Sequence, residues 1–126
     1  MAKILVADDE MDLEMLIKQK FRKQIREEKY EFIFAFNGND AIDKLKDNPD
    51  VDLVLSDINM PGMSGLQLLE KIKQKFHAPP PIVMMITAYG DAENFNTAME
   101  LGADDFLTKP VDFNQFIKVS VMRIHV

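Results

Sequence analysis

Four short apolar runs of this chain are each followed by side chains that can bind a cation or an anion. These side chains are the acid pair Asp8 and Asp9, the acid Asp57, the hydroxyl of Thr87 and the ammonium group of Lys109. Carboxylates that share a site with a lysine and a hydroxyl can bind a hard divalent cation and, beside it, a phosphate-like anion. Such chemistry requires a fold that brings these five side chains to one place.

The apolar runs predict strands of a buried parallel sheet, because they are short, rich in aliphatic and aromatic residues, and bounded by turn residues. The predicted strands are Ile4–Ala7, Glu31–Phe36, Val51–Leu55, Ile82–Ile86 and Phe106–Thr108. Segments with helical spacing separate them, and this alternation predicts right-handed βαβ crossovers. We therefore predict an α/β, flavodoxin-like (βα)5 doubly wound fold, with a five-stranded parallel sheet in order 2-1-3-4-5 and helices on both faces.

Five helices are predicted between and after the strands, and their ends carry recognisable cap residues. The first is predicted as one long helix from Met11 to Glu28. Its apolar side chains at helical spacing, which are expected to face inward, are Leu13, Leu16, Ile17, Phe21 and Ile25. Ser64, Asp91 and Asp112 are predicted to cap three later helices, because a short polar side chain there can accept from the first free backbone N–H groups.

In a sheet of this order the first, third, fourth and fifth strands are neighbours, so their carboxyl ends meet at one edge. Three carboxylates only 4 Å apart would repel by about 4 kcal/mol per pair at an effective dielectric of 20. A bound Mg²⁺ would relieve that repulsion, since it prefers oxygen ligands and phosphate co-ligands. Lys109 supplies a positive charge, Thr87 a hydroxyl, and the small Ala88 leaves room for an anion. The sequence therefore predicts Mg²⁺-dependent transfer of a phosphoryl group to Asp57.

The composition narrows the function classes further. The 126 residues carry a net charge of −6 and are 47% hydrophobic, which fits one domain with a substantial core. Net negative charge argues against nucleic acid or an anionic membrane as a direct partner. The chain has no cysteine, so disulfide and thiol chemistry are excluded. No apolar run is long enough to span a membrane, and we expect a cytoplasmic protein.

Four motifs, in order along the chain, carry a family resemblance. They are Ile4-Leu5-Val6-Ala7-Asp8-Asp9-Glu10, Asp57-Ile58-Asn59-Met60-Pro61-Gly62-Met63-Ser64-Gly65, Thr87-Ala88, and Phe106-Leu107-Thr108-Lys109-Pro110. In this combination and spacing the chain resembles the response-regulator receiver domains of two-component phosphorelay systems. The resemblance covers nearly the whole of residues 1–126, which we expect to form a single receiver domain.

The resemblance implies a role for each acid of the predicted site. Asp57 would be the phosphoacceptor, and Mg²⁺ would be the cofactor. Asp9 would bind the metal directly, Asp8 more often through water, and the backbone carbonyl of Asn59 would be a further ligand beside Asp57.

The resemblance also implies a switch. Thr87, Ala88 and Lys109 would contact the phosphoryl group, and Phe106 would be the aromatic residue that turns inward when Thr87 moves. The Lys109–Pro110 bond would be a cis peptide. Asn59 and Tyr89 match positions that tune the rate of self-dephosphorylation in this family.

Partners and output are likewise implied by the resemblance. The phosphoryl donor would be a sensor histidine kinase or a phosphotransfer protein, and the target an output domain or effector protein. Control would pass through the face made by the family's fourth helix, fifth strand and fifth helix, here residues 90–121, which is also a possible homodimer face. A free-standing receiver and the N-terminal part of a longer regulator both fit. The segments Asn94–Met99 and Asp105–Pro110 together weakly resemble receivers joined to nucleotide cyclase or serine-phosphatase outputs.

Three alternatives compete with a receiver switch. A phosphatase of the haloacid dehalogenase type needs a second acid two residues after its nucleophile, where this chain has Asn59. A flavodoxin-like electron carrier needs a phosphate-binding loop after its first strand, where this chain has an acid pair that would repel a flavin phosphate. A degenerate receiver could act as a docking module alone, but the acids, Thr87 and Lys109 are all present. We expect a switch that catalyses only its own phosphorylation and dephosphorylation.

Overall fold

The architecture comes from a computed structural model, which describes residues 1–76, 80–88 and 90–124, with the side chains of 121–123 excepted. Its strands are β1 (Ala2–Ala7), β2 (Tyr30–Ala35), β3 (Leu53–Asp57), β4 (Ile82–Thr87) and β5 (Asp105–Thr108). Its helices are α1 (Met11–Lys20), α2 (Arg22–Arg26), α3 (Gly38–Asp47), α4 (Gly65–Lys75), α5 (Ala92–Glu100) and α6 (Phe113–Ile124). Tyr89, His77 and His125 lie outside the described residues.

The five strands form one parallel sheet in the order β2-β1-β3-β4-β5, which confirms the predicted fold. β3 and β4 are buried almost throughout, because helices cover both faces of the sheet. In the part of the chain that the structure describes, no helix is both long and apolar enough to cross a membrane.

Two apolar layers hold the helices against the sheet. One layer joins α1 and α6 to the face that carries Ile4, Leu53 and Met84. The other joins α3 and α4 to the opposite face, where Leu5 and Val54 are buried. Successive side chains of a strand point to opposite faces, so each central strand contributes to both layers.

The prediction of one helix from Met11 to Glu28 is wrong, because the helix is interrupted at Phe21. That residue has φ −103° and ψ 19°, and it separates α1 from the five-residue α2. Its side chain is fully buried, and its ring contacts the rings of Tyr30 and Phe116 with centroids 5.5 and 5.8 Å away. We attribute the interruption to this packing, because burial of the Phe21 ring requires a backbone conformation that a regular helix does not provide.

The inward face predicted for this first helical segment is also partly wrong. Leu13 and Ile17 are buried as expected, but the side chain of Leu16 is 51% exposed. Leu16 lies one position before Ile17 and therefore about 100° away around the helix, on the solvent side. The spacing of apolar residues puts Leu16 at the edge of the apolar face of the helix. That edge does not contact the sheet.

The cap residues behave as predicted where the structure describes them. Ser64 and Gln67 form a reciprocal capping box at the start of α4. The Asp91 side chain accepts from the backbone N–H of Asn94 at the start of α5. The Asp112 side chain accepts from Gln115 N–H, three residues further on. These caps fix where the helices begin, and therefore the length of the loops that follow β3, β4 and β5.

Candidate functional site

The parallel register brings the ends of β3, β4 and β5 to one edge of the sheet. Asp57 is paired with Ile86 at the end of β3, and Thr87 follows Ile86 directly. The backbone N–H of Lys109 donates to the carbonyl oxygen of Thr87 at 2.9 Å, so the chain after β5 stays attached to β4. This pairing brings together side chains that are up to 52 residues apart in the sequence, from Asp57 to Lys109.

A short ion pair joins Lys109 to Asp57 in the site. The Nζ atom of Lys109 donates to Oδ2 of Asp57 at 2.7 Å. Asp57 is 2% exposed, whereas the side chain of Lys109 is 40% exposed and reaches the acid from the solvent side. Burial by itself would lower the pKa of Lys109, but the hydrogen bond and charge of Asp57, together with the charges of Asp8 and Glu10, outweigh it, and the pKa is raised. Lys109 is therefore charged at neutral pH and compensates a buried carboxylate.

Asp8 and Asp9 complete an acidic cluster with Asp57. One carboxylate oxygen from each lies within 4.8 Å of the others. Asp8 is buried and accepts from Glu10 N–H at 2.8 Å, while Asp9 is exposed at the mouth of the site. The pKa of Asp8 is raised, first by its burial and then by the negative charges of Asp57 and Asp9. Two full charges at this distance repel by about 3–4 kcal/mol at an effective dielectric of 20.

The cluster fits a hard divalent cation. Three carboxylates and one lysine leave a formal charge of −2 in the site, which a single Mg²⁺ would cancel. The donors are oxygen atoms only, which is the ligand set that Mg²⁺ prefers, and three protein ligands leave positions for water and phosphate oxygens. The site therefore has both the charge and the donor chemistry that the predicted cofactor requires.

The loop after Asp57 folds back tightly on the end of β3. The backbone N–H of Asn59 donates to Oδ1 of Asp57 at 3.2 Å, and Gly65 N–H donates to the carbonyl oxygen of Ile58 at 2.7 Å. A Cβ atom at Gly65 would overlap the Asp57 carbonyl oxygen and lie 2.7 Å from the Ile58 Cα atom. Gly65 thus allows the backbone to approach that closely. Gly65 ends the motif that begins at Asp57, but nothing in the sequence shows this close approach.

Thr87 connects the site to β5. Its hydroxyl is buried and donates to the carbonyl oxygen of Leu107 at 3.5 Å. Ala88 follows it and is exposed. A cavity of about 270 Å³ lies beside these two residues, bordered also by Phe95 of α5 and Thr108 of β5. The hydroxyl is therefore held against β5, next to a space into which the neighbouring loop or side chains can move.

Phe106 lies on β5 next to Leu107 and is half-buried. Its ring contacts the ring of Phe95 with the centroids 4.4 Å apart. The peptide bond between Lys109 and Pro110 is cis. Asn59 is exposed, and Tyr89 is outside the described residues. The structure thus brings Asp8, Asp9 and Asp57 together with Lys109, places Thr87 and Ala88 beside them, and puts Phe106 on the strand that Thr87 contacts.

Glu10 is a further charged residue near the site that the sequence analysis did not single out. Its negative charge contributes to the raised pKa of Lys109, after the contributions of Asp57 and Asp8. It is exposed and begins α1 as the N-cap residue. Its position directly after the acid pair was the only signal available in the sequence.

The raised pKa of Asp8 leads to a testable expectation for the metal-free protein. A carboxyl group whose pKa is higher in the folded state stabilises the fold at low pH, and this stability is lost as the pH rises from 3.8 through the raised value. At neutral pH an Asp8→Asn variant in EDTA should therefore melt about 5 °C higher than the original protein, for a relief of about 1–2 kcal/mol.

The measurement is thermal unfolding followed by circular dichroism across this pH range. The difference between the two proteins should grow as the pH rises, and millimolar Mg²⁺ should raise the melting temperature of the original protein more than that of the variant. Asparagine keeps an oxygen that can accept from Glu10 N–H, so the loop contact is retained. A variant that melts lower than the original protein at neutral pH in EDTA would contradict the electrostatic account.

The fold and site together define a class of protein. The model of the response regulator receiver domain family matches residues 4–120 of this chain. The chain belongs to the response regulator receiver domain family. Receiver domains are phosphoacceptor signalling switches rather than conventional enzymes, and they generally bind Mg²⁺ at an acidic pocket. This match sets aside the phosphatase and electron-carrier alternatives.

Solved structures agree with this assignment over essentially the whole chain. The receiver domain of the Francisella response regulator 1452 is 30% identical, with a TM-score of 0.79 over 99% of this chain and 98% of that one. The chemotaxis protein CheY4 of Vibrio cholerae is 25% identical, with a TM-score of 0.80 over 98% of each chain. The fold is also shared by the Saccharomyces cerevisiae Ssk1 receiver domain, solved with the histidine phosphotransfer protein Ypd1, at 22% identity, TM-score 0.84, and 97% and 88% coverage.

Proposed function

We propose that this protein is a two-component signalling switch in which Asp57 accepts a phosphoryl group from a phosphohistidine. The observation that carries this proposal is the pairing of a buried Asp57 carboxylate with Lys109 at 2.7 Å, inside a cluster of three acids. A purely structural acid would be neutralised by its partner. Here the two remaining acids leave an excess negative charge, which creates a site for a cation and, through it, for an anion.

The proposed reaction transfers the phosphoryl group from the donor's histidine to Asp57. A carboxylate oxygen of Asp57 attacks the phosphorus atom. A new O–P bond forms while the N–P bond of the phosphohistidine breaks, and the electron pair of that bond returns to the imidazole nitrogen, which takes up a proton. Lys109, the Thr87 hydroxyl and backbone N–H groups near Ala88 would stabilise the equatorial phosphoryl oxygens.

We propose that Asp8, Asp9 and Asp57, together with the backbone carbonyl of Asn59, hold the Mg²⁺ ion. When bound, Mg²⁺ supplies positive charge that offsets the repulsion between the acids and the incoming phosphoryl oxygens. Asp9 is the exposed member of the cluster, and Asp8 is the buried member oriented by Glu10 N–H. These two environments agree with a direct ligand at the mouth of the site and a second acid that acts more often through water.

The proposed switch follows from the extra charge on the product. Conversion of Asp57 to an acyl phosphate replaces a charge of about −1 by about −2. The Thr87 hydroxyl, which donates to the carbonyl oxygen of Leu107 at 3.5 Å, would then donate to a phosphoryl oxygen instead. This move would free the space beside β5, and Phe106 would turn inward, away from Phe95. The face formed by α5, β5 and α6 would change shape and thereby control an output domain, an effector or a second copy.

The lifetime of the phosphorylated state would depend on side chains that follow Asp57 and Thr87 closely in the sequence. Asn59 is exposed, and Tyr89 follows Ala88 in the sequence. We propose that these two residues set the access of water to the acyl phosphate and so tune self-dephosphorylation. The domain would in this sense catalyse only its own phosphorylation and dephosphorylation.

The donor is proposed to be a sensor histidine kinase or a phosphotransfer protein. The receiver domain of Ssk1, which shares the fold, was crystallised with such a phosphotransfer protein. Donors of this kind depend on ATP-driven kinases, so a cytoplasmic location is part of the proposal. We treat residues 1–126 as one receiver domain, with the type of output left to experiment.

Acetyl phosphate provides the direct test of this function. The protein is incubated with acetyl phosphate and MgCl₂, and its intact mass is measured by electrospray mass spectrometry. We expect the mass of one added phosphoryl group, and little labelling when EDTA replaces the metal. No labelling in the presence of Mg²⁺ would contradict the proposal and favour a docking-only receiver. Equal labelling in EDTA would contradict the role of the metal.

A further inference from the structure

A groove of about 680 Å³ lies at the outer margin of the sheet, along the edge strand β2. We call it the edge groove and define it by Lys18 of α1, Arg22 and Arg26 of α2, and Phe32 and Phe34 of β2. Residues of α1 and α2 border it on one side and residues of β2 on the other. Its volume lies within the range of known ligand sites, roughly 300–1,000 Å³.

The floor of the edge groove is a ladder of aromatic rings. Tyr30, Phe32 and Phe34 alternate along β2 and therefore project from the same face of the sheet. Their ring centroids are 5.7 and 6.3 Å apart, with interplanar angles of 27° and 22°. Tyr30 is buried, but Phe32 and Phe34 remain half-exposed. The ladder is about 13 Å long at 3.3 Å per residue, which suits an extended segment better than a single ring.

The rim of the edge groove carries positive charge that is not compensated. Arg22 and Arg26 are one helical turn apart and exposed, and neither side chain forms a hydrogen bond or ion pair with any described residue. This is notable in a chain with 21 acids and a net charge of −6. Lys18 is paired with Glu14 at 3.0 Å and lies over the Phe34 ring at 5.4 Å.

Two acids also line the groove, and they limit what it can accept. Glu31 is paired with Lys3 at 3.4 Å, while Glu28 follows α2 in a left-handed backbone conformation with φ 61°. Lys3 is also paired with Asp50 at 3.0 Å, so Glu31 counts in full, and the groove lining has three basic side chains against two acidic ones. A short segment with one or two carboxylates matches this excess of positive charge. A long polyanion would be repelled by the acidic surface around the groove.

We propose that the edge groove binds a short acidic segment of a partner protein, one that presents an aromatic or aliphatic side chain beside its carboxylates. The apolar side chain would pack on Phe32 and Phe34, which removes their exposed area from water. Arg22 and Arg26 would each hold a carboxylate, since the planar guanidinium group pairs with it through two parallel hydrogen bonds. The aromatic floor would thus provide the apolar contact, and the arginines of the rim would select segments that carry carboxylates.

Binding here is independent of the phosphoryl chemistry. The groove shares no residue with the acidic cluster, Lys109 or Thr87, and it lies on the strand at the opposite edge of the sheet from β5. A partner held in this groove would stay attached whether or not Asp57 carries a phosphoryl group. The proposal therefore stands or falls separately from the proposed function.

Selection from a phage-displayed library of random peptides of about twelve residues tests the proposal. The original protein is the target, and an Arg22→Gln/Arg26→Gln variant is used for counter-selection. We expect enriched peptides that combine Asp or Glu with Phe, Leu or Ile. Their synthetic versions should bind at least about tenfold more weakly to the double variant, and with unchanged affinity to Lys23→Gln and Asp57→Asn variants. Lys23 is an exposed residue of α2 outside the groove, so it controls for general charge.

Nuclear magnetic resonance locates the bound peptide. The amide signals of Phe32, Phe34 and Ile25 should shift on titration, while that of Lys109 should not. Failure to enrich any acidic peptide, or equal binding by the double variant, would overturn the proposal. Tighter binding of a single-stranded DNA oligonucleotide than of the enriched peptides would overturn it in favour of a nucleic-acid site. The replaced arginines are exposed, and their side chains form no hydrogen bond or ion pair with described residues, so the variants are expected to fold.

Discussion

The Asp57→Asn variant is expected to take up no phosphoryl group from acetyl phosphate and Mg²⁺, under conditions that label the original protein fully. An amide is not a nucleophile toward phosphorus, so the loss should be complete rather than partial. The substitution preserves shape, and the amide oxygen can still accept from Asn59 N–H as Oδ1 of Asp57 does at 3.2 Å. Intact mass spectrometry measures the result directly.

The matched control for this experiment is an Asp12→Asn variant. Asp12 is an exposed acid in the first turn of α1, close in sequence to the acid pair but outside the cluster. It should be labelled as readily as the original protein. If the Asp57→Asn protein were unfolded, its lack of labelling would not identify the phosphoacceptor. We expect the opposite, a higher melting temperature in EDTA, because the substitution removes one negative charge from a repulsive cluster. Labelling of this variant to the same extent would refute the assignment of Asp57.

Replacing Lys109 with alanine should have the second largest effect. The variant leaves the buried Asp57 carboxylate without its counter-charge, while Asp8 and Asp9 remain nearby. Breaking a fully buried pair costs about 3–5 kcal/mol, and solvent reaches the 40% exposed lysine, so we expect a loss of about 1–3 kcal/mol in the free energy of unfolding. Urea denaturation of the metal-free protein measures this loss.

The same variant should also uncouple phosphorylation from the switch. Labelling by acetyl phosphate should be slower, since a positive charge that stabilises the phosphoryl oxygens is missing. Once labelled, the protein should no longer show the shifts of amide signals in α5 and β5 that the original protein shows. Lys118→Ala, which removes an exposed lysine of α6, is the matched control and should behave like the original protein.

A double-mutant cycle separates the pair interaction from other effects of the Lys109 substitution. Combining Asp57→Asn with Lys109→Ala removes both charges, so most of the stability lost in Lys109→Ala should return. Additive effects of the two substitutions would show that Lys109 acts through contacts other than Asp57. An Lys109→Ala protein that is fully stable and switches normally would contradict the role assigned to this residue.

These predictions share one physical origin, which is the imbalance of charge at the end of a parallel sheet. Asp57 is held in a buried position by strand pairing, and its immediate neighbour Lys109 neutralises only one of three acids. The site is therefore incomplete as a purely structural arrangement. Binding of a cation and a phosphoryl group would balance the charge of the site. The proposed signal is the movement of Thr87 and β5 in response to that binding.

Much of the fold could be predicted from local sequence. Buried parallel strands are marked by short apolar runs, and the alternation of strands with helices restricts the topology to a few choices. The order β2-β1-β3-β4-β5 follows from that pattern, as do the caps at Ser64 and Asp91. Because the carboxyl ends of neighbouring strands meet, the grouping of Asp8, Asp57, Thr87 and Lys109 could be anticipated from the residues that end each run.

Other features depend on contacts that no local pattern encodes. The interruption at Phe21 arises from four aromatic partners on two distant elements, β2 and α6, and the spacing of apolar residues around it is that of an unbroken helix. The tight approach of Gly65 to Asp57 and the Phe95–Phe106 contact are likewise set by packing.

Sequence by itself determined which side chains are available and which strand end each one occupies, because those properties depend on periodicity and turn chemistry over a few residues. Tertiary structure decided which of these side chains touch, how deeply each is buried, and where the surface is left open. Asp57 and Lys109 were both visible as candidates, but their 2.7 Å contact is a product of register across β3, β4 and β5. The edge groove exists for the same reason, since it depends on how far α1 and α2 extend over β2 and not on any motif in either.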